Sequence, residues 1–173
     1  GAAQGDQQVN MFSDYNNQAD QTNGNWIESN FFREETVTAA QAAAGDTWKF
    51  TFDAKEGNIV AGVDATAFIK IFAPGFAFVD IFTFDTSKGQ LSDTWSTGEV
   101  SVNIQSGWEN YIIQYGFQTI VQNNLGSANF YDNVCFDTGT GCPLPSEIPV
   151  PAAVWLFGSG LLGLVGVARR RKG

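Results

Sequence analysis

Four stretches of the chain alternate apolar and polar side chains with a period of two, at 47–53, 67–72, 76–84 and 100–104. Most of their apolar positions hold aromatic or β-branched residues. This pattern predicts strands with one buried face. Further strands are predicted at 7–12, 26–32, 35–39, 111–119 and 128–136, with turn-forming sequences between them, and 39–44 is predicted to be a strand end and loop. The predicted body is therefore all-β, an antiparallel jelly-roll β-sandwich of roughly eight to ten strands.

Aromatic residues supply the core of such a sandwich. The chain contains 15 phenylalanines, and most fall on the alternating strands, where they fill the space between two sheets. Four other aromatic residues lie less clearly in register: Tyr15, Trp26, Trp95 and Trp108. Because apolar faces of sugar rings stack on aromatic side chains, these four are the predicted glycan-binding residues.

Charge and composition exclude several classes of function. Residues 1–151 hold all 18 acidic residues but only five of the nine basic ones, which leaves a net charge of −13. A body this acidic is repelled by nucleic acid, and its carboxylates suit calcium. The chain has no histidine, so it has no ordinary Ser-His or Cys-His nucleophile, and no carboxylate pair stands out as a glycosidase site. We therefore predict a protein that is not an enzyme.

The two cysteines, Cys135 and Cys142, flank a turn-forming Asp-Thr-Gly-Thr-Gly sequence. In an oxidising compartment this spacing predicts a disulfide that closes a small loop and fastens the last strand.

The C-terminal region has three parts. Pro149 and Pro151 break any preceding helix, residues 152–168 are uncharged and almost wholly apolar, and Arg169, Arg170, Arg171 and Lys172 follow. At 1.5 Å per residue the apolar run spans about 25 Å, near the lower limit for a transmembrane helix. The sequence thus predicts a membrane helix with its basic end in the cytoplasm.

In this region the chain resembles the PEP-CTERM family of bacterial exported proteins. Trp155–Leu164 read Trp-Leu-Phe-Gly-Ser-Gly-Leu-Leu-Gly-Leu, including Gly158 and Gly160, as the family's sorting helices often do. The resemblance implies export to the cell surface or extracellular matrix, at least transient anchoring in the bacterial inner membrane, and an exosortase as processing partner. Pro-Glu-Pro itself is absent, so cleavage within 145–151 stays open.

The body resembles the jelly roll of carbohydrate-binding modules, also called galactose-binding-like. The points of likeness are 48–55, 67–70, 107–111 and the Phe-Tyr-Asp-Asn-Val sequence at 130–134. The resemblance implies a structural calcium ion bound through Asp132, with Asp14 and Asp46 as candidate partner ligands.

These patterns divide the chain into an N-terminal arm or first strand (1–24), a β-sandwich (25–142), a proline-rich linker (143–151) and a sorting signal (152–173). The predicted function is a non-enzymatic surface or matrix protein that associates with extracellular polysaccharide. The alternative is a structural subunit that self-associates into a filament, sheet or coat, because the Asn- and Gln-rich stretch 4–25 can add a strand to a neighbour's sheet.

Overall fold

The computed structural model describes residues 8–13, 24, 26–122 and 125–142. These residues form eight strands and one short helix. In chain order the elements are β1 (Val9–Met11), β2 (Trp26–Thr36), α1 (Ala39–Ala44), β3 (Thr47–Ile59), β4 (Asp64–Ala73), β5 (Ala77–Asp85), β6 (Ser96–Asn103), β7 (Ile112–Gln122) and β8 (Ser127–Asp137).

The strands form two four-stranded antiparallel sheets. Sheet A has the order β1-β8-β3-β6, and sheet B has the order β2-β7-β4-β5. Strands that are distant in sequence are paired: β1 pairs with β8, and β2 pairs with β7. In addition, β3 pairs with β6, and β4 pairs with β5. This is the strand pairing of a jelly roll. The edge strands are β1 and β6 in sheet A, and β2 and β5 in sheet B.

The core lies between the inner faces of the two sheets. Along β3 the inward side chains of Trp48, Phe50 and Phe52 are fully or almost fully buried. The Phe52 ring lies 5.2 Å from that of Phe117 on the opposite sheet, edge to face. Gly98 on β6 leaves room for this packing, since a Cβ there would stand 2.6 Å from the Phe52 ring. The alternation along β3 thus places large rings from sheet A against sheet B.

The segment before β3 differs from its prediction in two ways. β2 is one continuous strand, so the separate strand predicted at 35–39 is wrong. Ala39–Ala44, predicted to be a strand end and loop, is helix α1. Thr38 and Gln41 form a capping box at its start, and Gly45 ends it in the left-handed conformation with φ 68°. These caps satisfy terminal main-chain groups, and they stabilise a helix that is too short to persist alone.

The predicted fold class is wrong in its transmembrane helix. Within 8–13, 24, 26–122 and 125–142, no helix is long and apolar enough to cross a membrane. Helix α1, which lies in this part of the chain, has six residues. The proposed spanning segment 152–168, with Trp155, Gly158, Gly160 and the flanking Pro149, Pro151 and Arg169–Arg171, lies outside the described residues.

The predicted disulfide between Cys135 and Cys142 is confirmed. It closes the turn after β8, and the Asp137 carboxylate organises that turn by accepting hydrogen bonds from the main-chain nitrogens of Gly139 and Gly141, at 2.8 and 2.7 Å. Cys135 pairs with Thr51 of β3, so the bridge ties the chain that follows β8 to the middle of sheet A.

A buried polar network connects the two sheets near the end of β5. The Asn129 side chain donates to the main-chain oxygen of Thr86 at 2.6 Å, and the Thr86 hydroxyl lies 2.9 Å from the Tyr131 hydroxyl. All three residues are fully buried. Because buried polar groups are costly unless they are paired, this network fixes the exit of β5 from sheet B against β8 of sheet A.

Candidate functional site: the outer face of sheet B

The outer face of sheet B carries an unusual set of side chains. The inward positions of β4 and β7 are core residues such as Ile69 and Phe117, so the alternate positions point away from sheet A. We define the outer face by these outward residues, which are Trp26, Glu28, Asn30, Phe32 and Glu34 on β2, Gln114, Gly116, Gln118 and Ile120 on β7, Thr66, Phe68 and Lys70 on β4, and Ile81 and Thr83 on β5.

Lys70 is at the centre of this face. Its Nζ lies 4.3 Å from the centroid of the Phe68 ring and donates a hydrogen bond to Gln118 Oε1 at 3.0 Å. Gln118 is opposite Thr66 rather than Lys70, so the lysine side chain extends along the strand and over the ring. This explains why Phe68, on an outward position, is 0% exposed. Burial lowers the pKa of Lys70, although the Glu28 carboxylate opposes that shift.

Gly116 lies between Phe68 and Phe32 in the same cross-strand row. A Cβ at Gly116 would be 2.1 Å from the main-chain oxygen of Phe31, which is a steric clash. The absence of a side chain lets β2 approach β7 closely at this point. The edge strand β2, with its rings, therefore lies against the polar centre of the face.

β2 adds carboxylates, an amide and exposed rings. Gln114 Nε2 donates to Glu34 Oε1 at 2.8 Å, and Asn30 Nδ2 donates to Glu28 Oε1 at 2.6 Å. Phe32 is 45% exposed and Trp26 is 60% exposed. Both rings are thus available to a ligand that lies on the sheet.

Together these groups have the chemistry that sugars require. Amide, ammonium and carboxylate groups, already held in place by hydrogen bonds to one another, supply both donors and acceptors for hydroxyl groups. Exposed aromatic rings supply surfaces for the apolar face of a sugar ring. The sheet holds them on a rigid platform, so binding costs little conformational entropy.

The four predicted glycan-binding residues do not form one site. Trp26 is on the outer face, and Tyr15 lies outside the described residues. Trp95 lies in the loop before β6, where the ammonium of Lys55 from β3 is 4.8 Å from its ring centroid. Trp108 is in the loop after β6 and lines a cleft between β5 and β6.

The predicted calcium ligands are also separated. Asp132 is opposite Asp53 on β3, whereas Asp46 precedes β3 and its carboxylate lies against Gly139. At about 3.3 Å per residue, positions 46 and 53 are about 23 Å apart, so Asp46 and Asp132 cannot share one ion. Asp14 lies outside the described residues, and those residues contain no group of three or more acidic or cysteine side chains placed to hold a metal ion. Calcium binding at Asp132 stays a prediction.

The sequence contained a signal for the outer face. Phe68 and Lys70 stand at outward positions of a strand that the alternation identifies, and Gln114 and Gln118 stand at outward positions of the further predicted strand at 111–119. Their mutual contact was not predictable, because Lys70 and Gln118 are 48 residues apart and their strands pair only through the jelly-roll order.

No protein-family model matches the sequence, and no curated protein is significantly similar to it. Similar solved structures include carbohydrate-binding modules with a β-sandwich fold. A CBM4 structure is 14% identical, with a TM-score of 0.39, over 62% of this chain and 59% of that one. A promiscuous carbohydrate-binding module of the β-sandwich superfamily is 12% identical, with a TM-score of 0.41, over 68% of this chain and 59% of that one.

The enzymatically active domain of tailspike protein 4 from bacteriophage CBA120 is also similar. It is 13% identical, with a TM-score of 0.43, over 63% of this chain and 13% of that one. This chain therefore spans less than two thirds of the length of each of these structures.

Proposed function

We propose that the protein is a non-catalytic, exported surface or matrix protein that binds extracellular polysaccharide through the outer face of sheet B. The observation that carries the proposal is the presence of two hydrogen-bonded pairs, Lys70 with Gln118 and Gln114 with Glu34, on the same face as the exposed rings of Trp26 and Phe32. The acidic body favours a neutral glycan over an anionic one, since charged polymers of the same sign repel it.

Retardation in native gels that contain a polysaccharide tests this proposal. We expect at least one neutral glucan, galactan or mannan to slow the protein, and an acidic polysaccharide to slow it much less. Running the gels with calcium and with a chelator shows whether binding needs the ion. If no neutral polysaccharide retards the protein in either condition, the proposal is wrong.

Two tryptophan variants locate the binding surface. Trp26→Ala removes an exposed ring from the outer face of sheet B, and we expect it to weaken binding about 2- to 10-fold, the usual worth of one aromatic contact. Trp95→Ala is the matched control, because it removes the same side chain from a position beside Lys55 of sheet A, away from the outer face of sheet B. Equal effects of the two substitutions would place the glycan elsewhere.

Location outside the cell is part of the same proposal. It is supported by the Cys135–Cys142 disulfide, since disulfides persist in oxidising compartments. It is also supported by the sorting-signal resemblance at 155–164, through which an exosortase would act. Digestion of intact cells by an added protease checks it: the body should be degraded while cytoplasmic proteins survive.

Strand β5 favours the alternative function, self-association into a larger structure. β5 is an edge strand, and its large apolar side chains are exposed on both faces, with Phe78 60% and Val79 43% exposed. It carries no lysine or proline, the residues that commonly protect such edges. Two copies of β5 can pair with each other through their free main-chain groups.

Sedimentation over a range of concentrations tests the pairing of β5. We expect a dimer or larger species that Val79→Lys abolishes, because the charge would be buried between two copies. Val134→Lys is the matched control, since Val134 is equally exposed, at 43%, but lies on β8. A protein that stays monomeric at high concentration rules out this alternative.

A further inference from the structure

A cleft of about 300 Å³ opens between the edge strands β5 and β6. Its lining includes Asp80 and Phe82 from β5, Asn103 from β6, and Gln105 and Trp108 from the loop that follows. None of these residues belongs to the outer face. The cleft is therefore a second surface, on the side of the sandwich where the two sheets end.

The direction of β5 explains how the cleft forms. Asp80 and Phe82 pair with Ile71 and Ile69, which are fully buried, so both point toward sheet A. The next inward residue, Phe84, packs edge to face on Phe52 in the core, with 5.7 Å between the ring centroids. The inward face of β5 thus starts inside the core at Phe84 and runs out past the edge of sheet A by Asp80.

The opposite wall of the cleft is held in place by local hydrogen bonds. Trp108 stacks on Tyr111, with ring centroids 5.6 Å apart and planes at 10°. The main-chain nitrogen of Trp108 donates to the oxygen of Gln105 at 3.1 Å, and the Gln105 side chain donates to the main-chain oxygen of Asn103 at 2.8 Å. The tryptophan ring is therefore a preorganised wall rather than a loose side chain.

The charge of the cleft is negative. Among the residues that line it in the described part of the chain, Asp80 alone is charged. One of its oxygens accepts a hydrogen bond from the main chain of Ile81, which leaves further acceptor sites on the carboxylate. Lys49, which is opposite the cleft residue Ser101, is already paired with Glu99 at 3.2 Å. A cation in the cleft would meet a carboxylate and two aromatic rings, both of which attract it.

We propose that this cleft binds a sugar ring that carries a free ammonium group, as in de-N-acetylated glucosamine polymers. The ammonium pairs with Asp80, and the ring contacts Phe82 and Trp108. The Asn103 amide accepts a hydrogen bond from the Thr47 hydroxyl at 2.7 Å, and the Gln105 amide donates to the Asn103 main chain, so a sugar hydroxyl would use the remaining donor and acceptor sites of these two amides. Binding here is independent of the outer face, because the two surfaces use different residues.

Calorimetric titration of the intact protein with short glucosamine oligomers, and with N-acetylglucosamine oligomers of the same length, tests the cleft. We expect the glucosamine oligomers to bind at least about 10-fold more tightly, since only they bring a charge to Asp80. Asp80→Asn should remove that preference. Trp108→Ala should weaken both ligands.

Asp85→Asn is the matched control. It removes the same charge from the same strand, but Asp85 pairs with Thr66 and points to the other side of sheet B. The proposal is overturned if the glucosamine oligomers do not bind, if both oligomers bind equally, or if Asp85→Asn weakens binding as much as Asp80→Asn. Gel retardation by neutral polysaccharide reports on the outer face, and the preference for glucosamine over N-acetylglucosamine oligomers reports on the cleft, so failure of one and failure of the other are distinguishable.

Discussion

Replacing Phe52 with alanine is expected to lower the free energy of unfolding by about 3–5 kcal/mol. Phe52 is 1% exposed, and its ring contacts Phe84 and Phe117 of sheet B and Tyr131 of sheet A. Its cross-strand partner on β6 is Gly98, which has no side chain to fill the vacated space. The cavity therefore cannot collapse easily, and both sheets lose a shared contact. Urea unfolding followed by tryptophan fluorescence measures the change.

Phe76→Ala is the control for this experiment. Phe76 is 60% exposed in the turn between β4 and β5, so its truncation should change the free energy of unfolding by less than about 1 kcal/mol. If Phe52→Ala costs no more than Phe76→Ala, the proposed packing of the two sheets on Phe52 is incorrect.

Replacing Lys70 with methionine should separate binding from stability. The substitution removes the ammonium that Gln118 and Phe68 hold at the centre of the outer face. Loss of a charged hydrogen bond to a glycan hydroxyl costs roughly 1.5–3 kcal/mol, which corresponds to a loss of about 10- to 150-fold in affinity. Methionine keeps the length and covers Phe68, so the free energy of unfolding should stay the same or rise.

Two measurements on one preparation check this expectation. Gel retardation should fall sharply in Lys70→Met while the urea midpoint holds. Lys49→Met is the control, because it makes the same substitution at a lysine that is ion-paired on sheet A. If Lys70→Met binds polysaccharide as tightly as the unchanged protein, the outer face is not centred on this residue.

The affinity of the protein for polysaccharide should also fall as the pH rises into the alkaline range. Because burial lowers the pKa of Lys70, its ammonium loses its proton at a lower pH than that of an ordinary lysine. Affinity should be constant near neutral pH and fall in the alkaline range before exposed lysines titrate. The folded state binds this proton less tightly than the unfolded chain, so the same residue makes stability rise with pH across that range.

Sequence periodicity predicts the four strands β3 to β6, because apolar residues at every second position are typical of a strand with one buried face. The buried face expected for β5 is wrong, since every residue of that edge strand except Phe84 is exposed. At β2 the sequence predicts only the first part, 26–32, because the charged residues after Phe32 do not alternate and the strand is an edge with little burial on either side. It also failed at α1, although the Thr38 and Gln41 spacing is a capping-box signal. A six-residue alanine-rich segment has too little amphipathic pattern to outweigh its neighbours.

The candidate sites were harder to predict than the strands. Aromatic residues out of register with their strands point to Trp26 and Trp108, which lie on two different surfaces. The same criterion does not distinguish Lys70, Gln114 and Gln118, because outward polar residues on a regular strand look like ordinary solvated ones. Their importance follows from which strands are neighbours, and that information lies in the topology.

The position of the disulfide has a mechanical consequence. Tension applied to the chain beyond Cys142 enters the domain through the sulfur bridge at Cys135, and residues 136–141 carry no load. The last pairs of the ladder, Phe136 with Phe50 and Asp137 with Lys49, are therefore not pulled from β3 by that tension. The first residue of β8 to bear it is Cys135, which is opposite Thr51 in the middle of sheet A. The bridge therefore makes this end of the domain a strong attachment point.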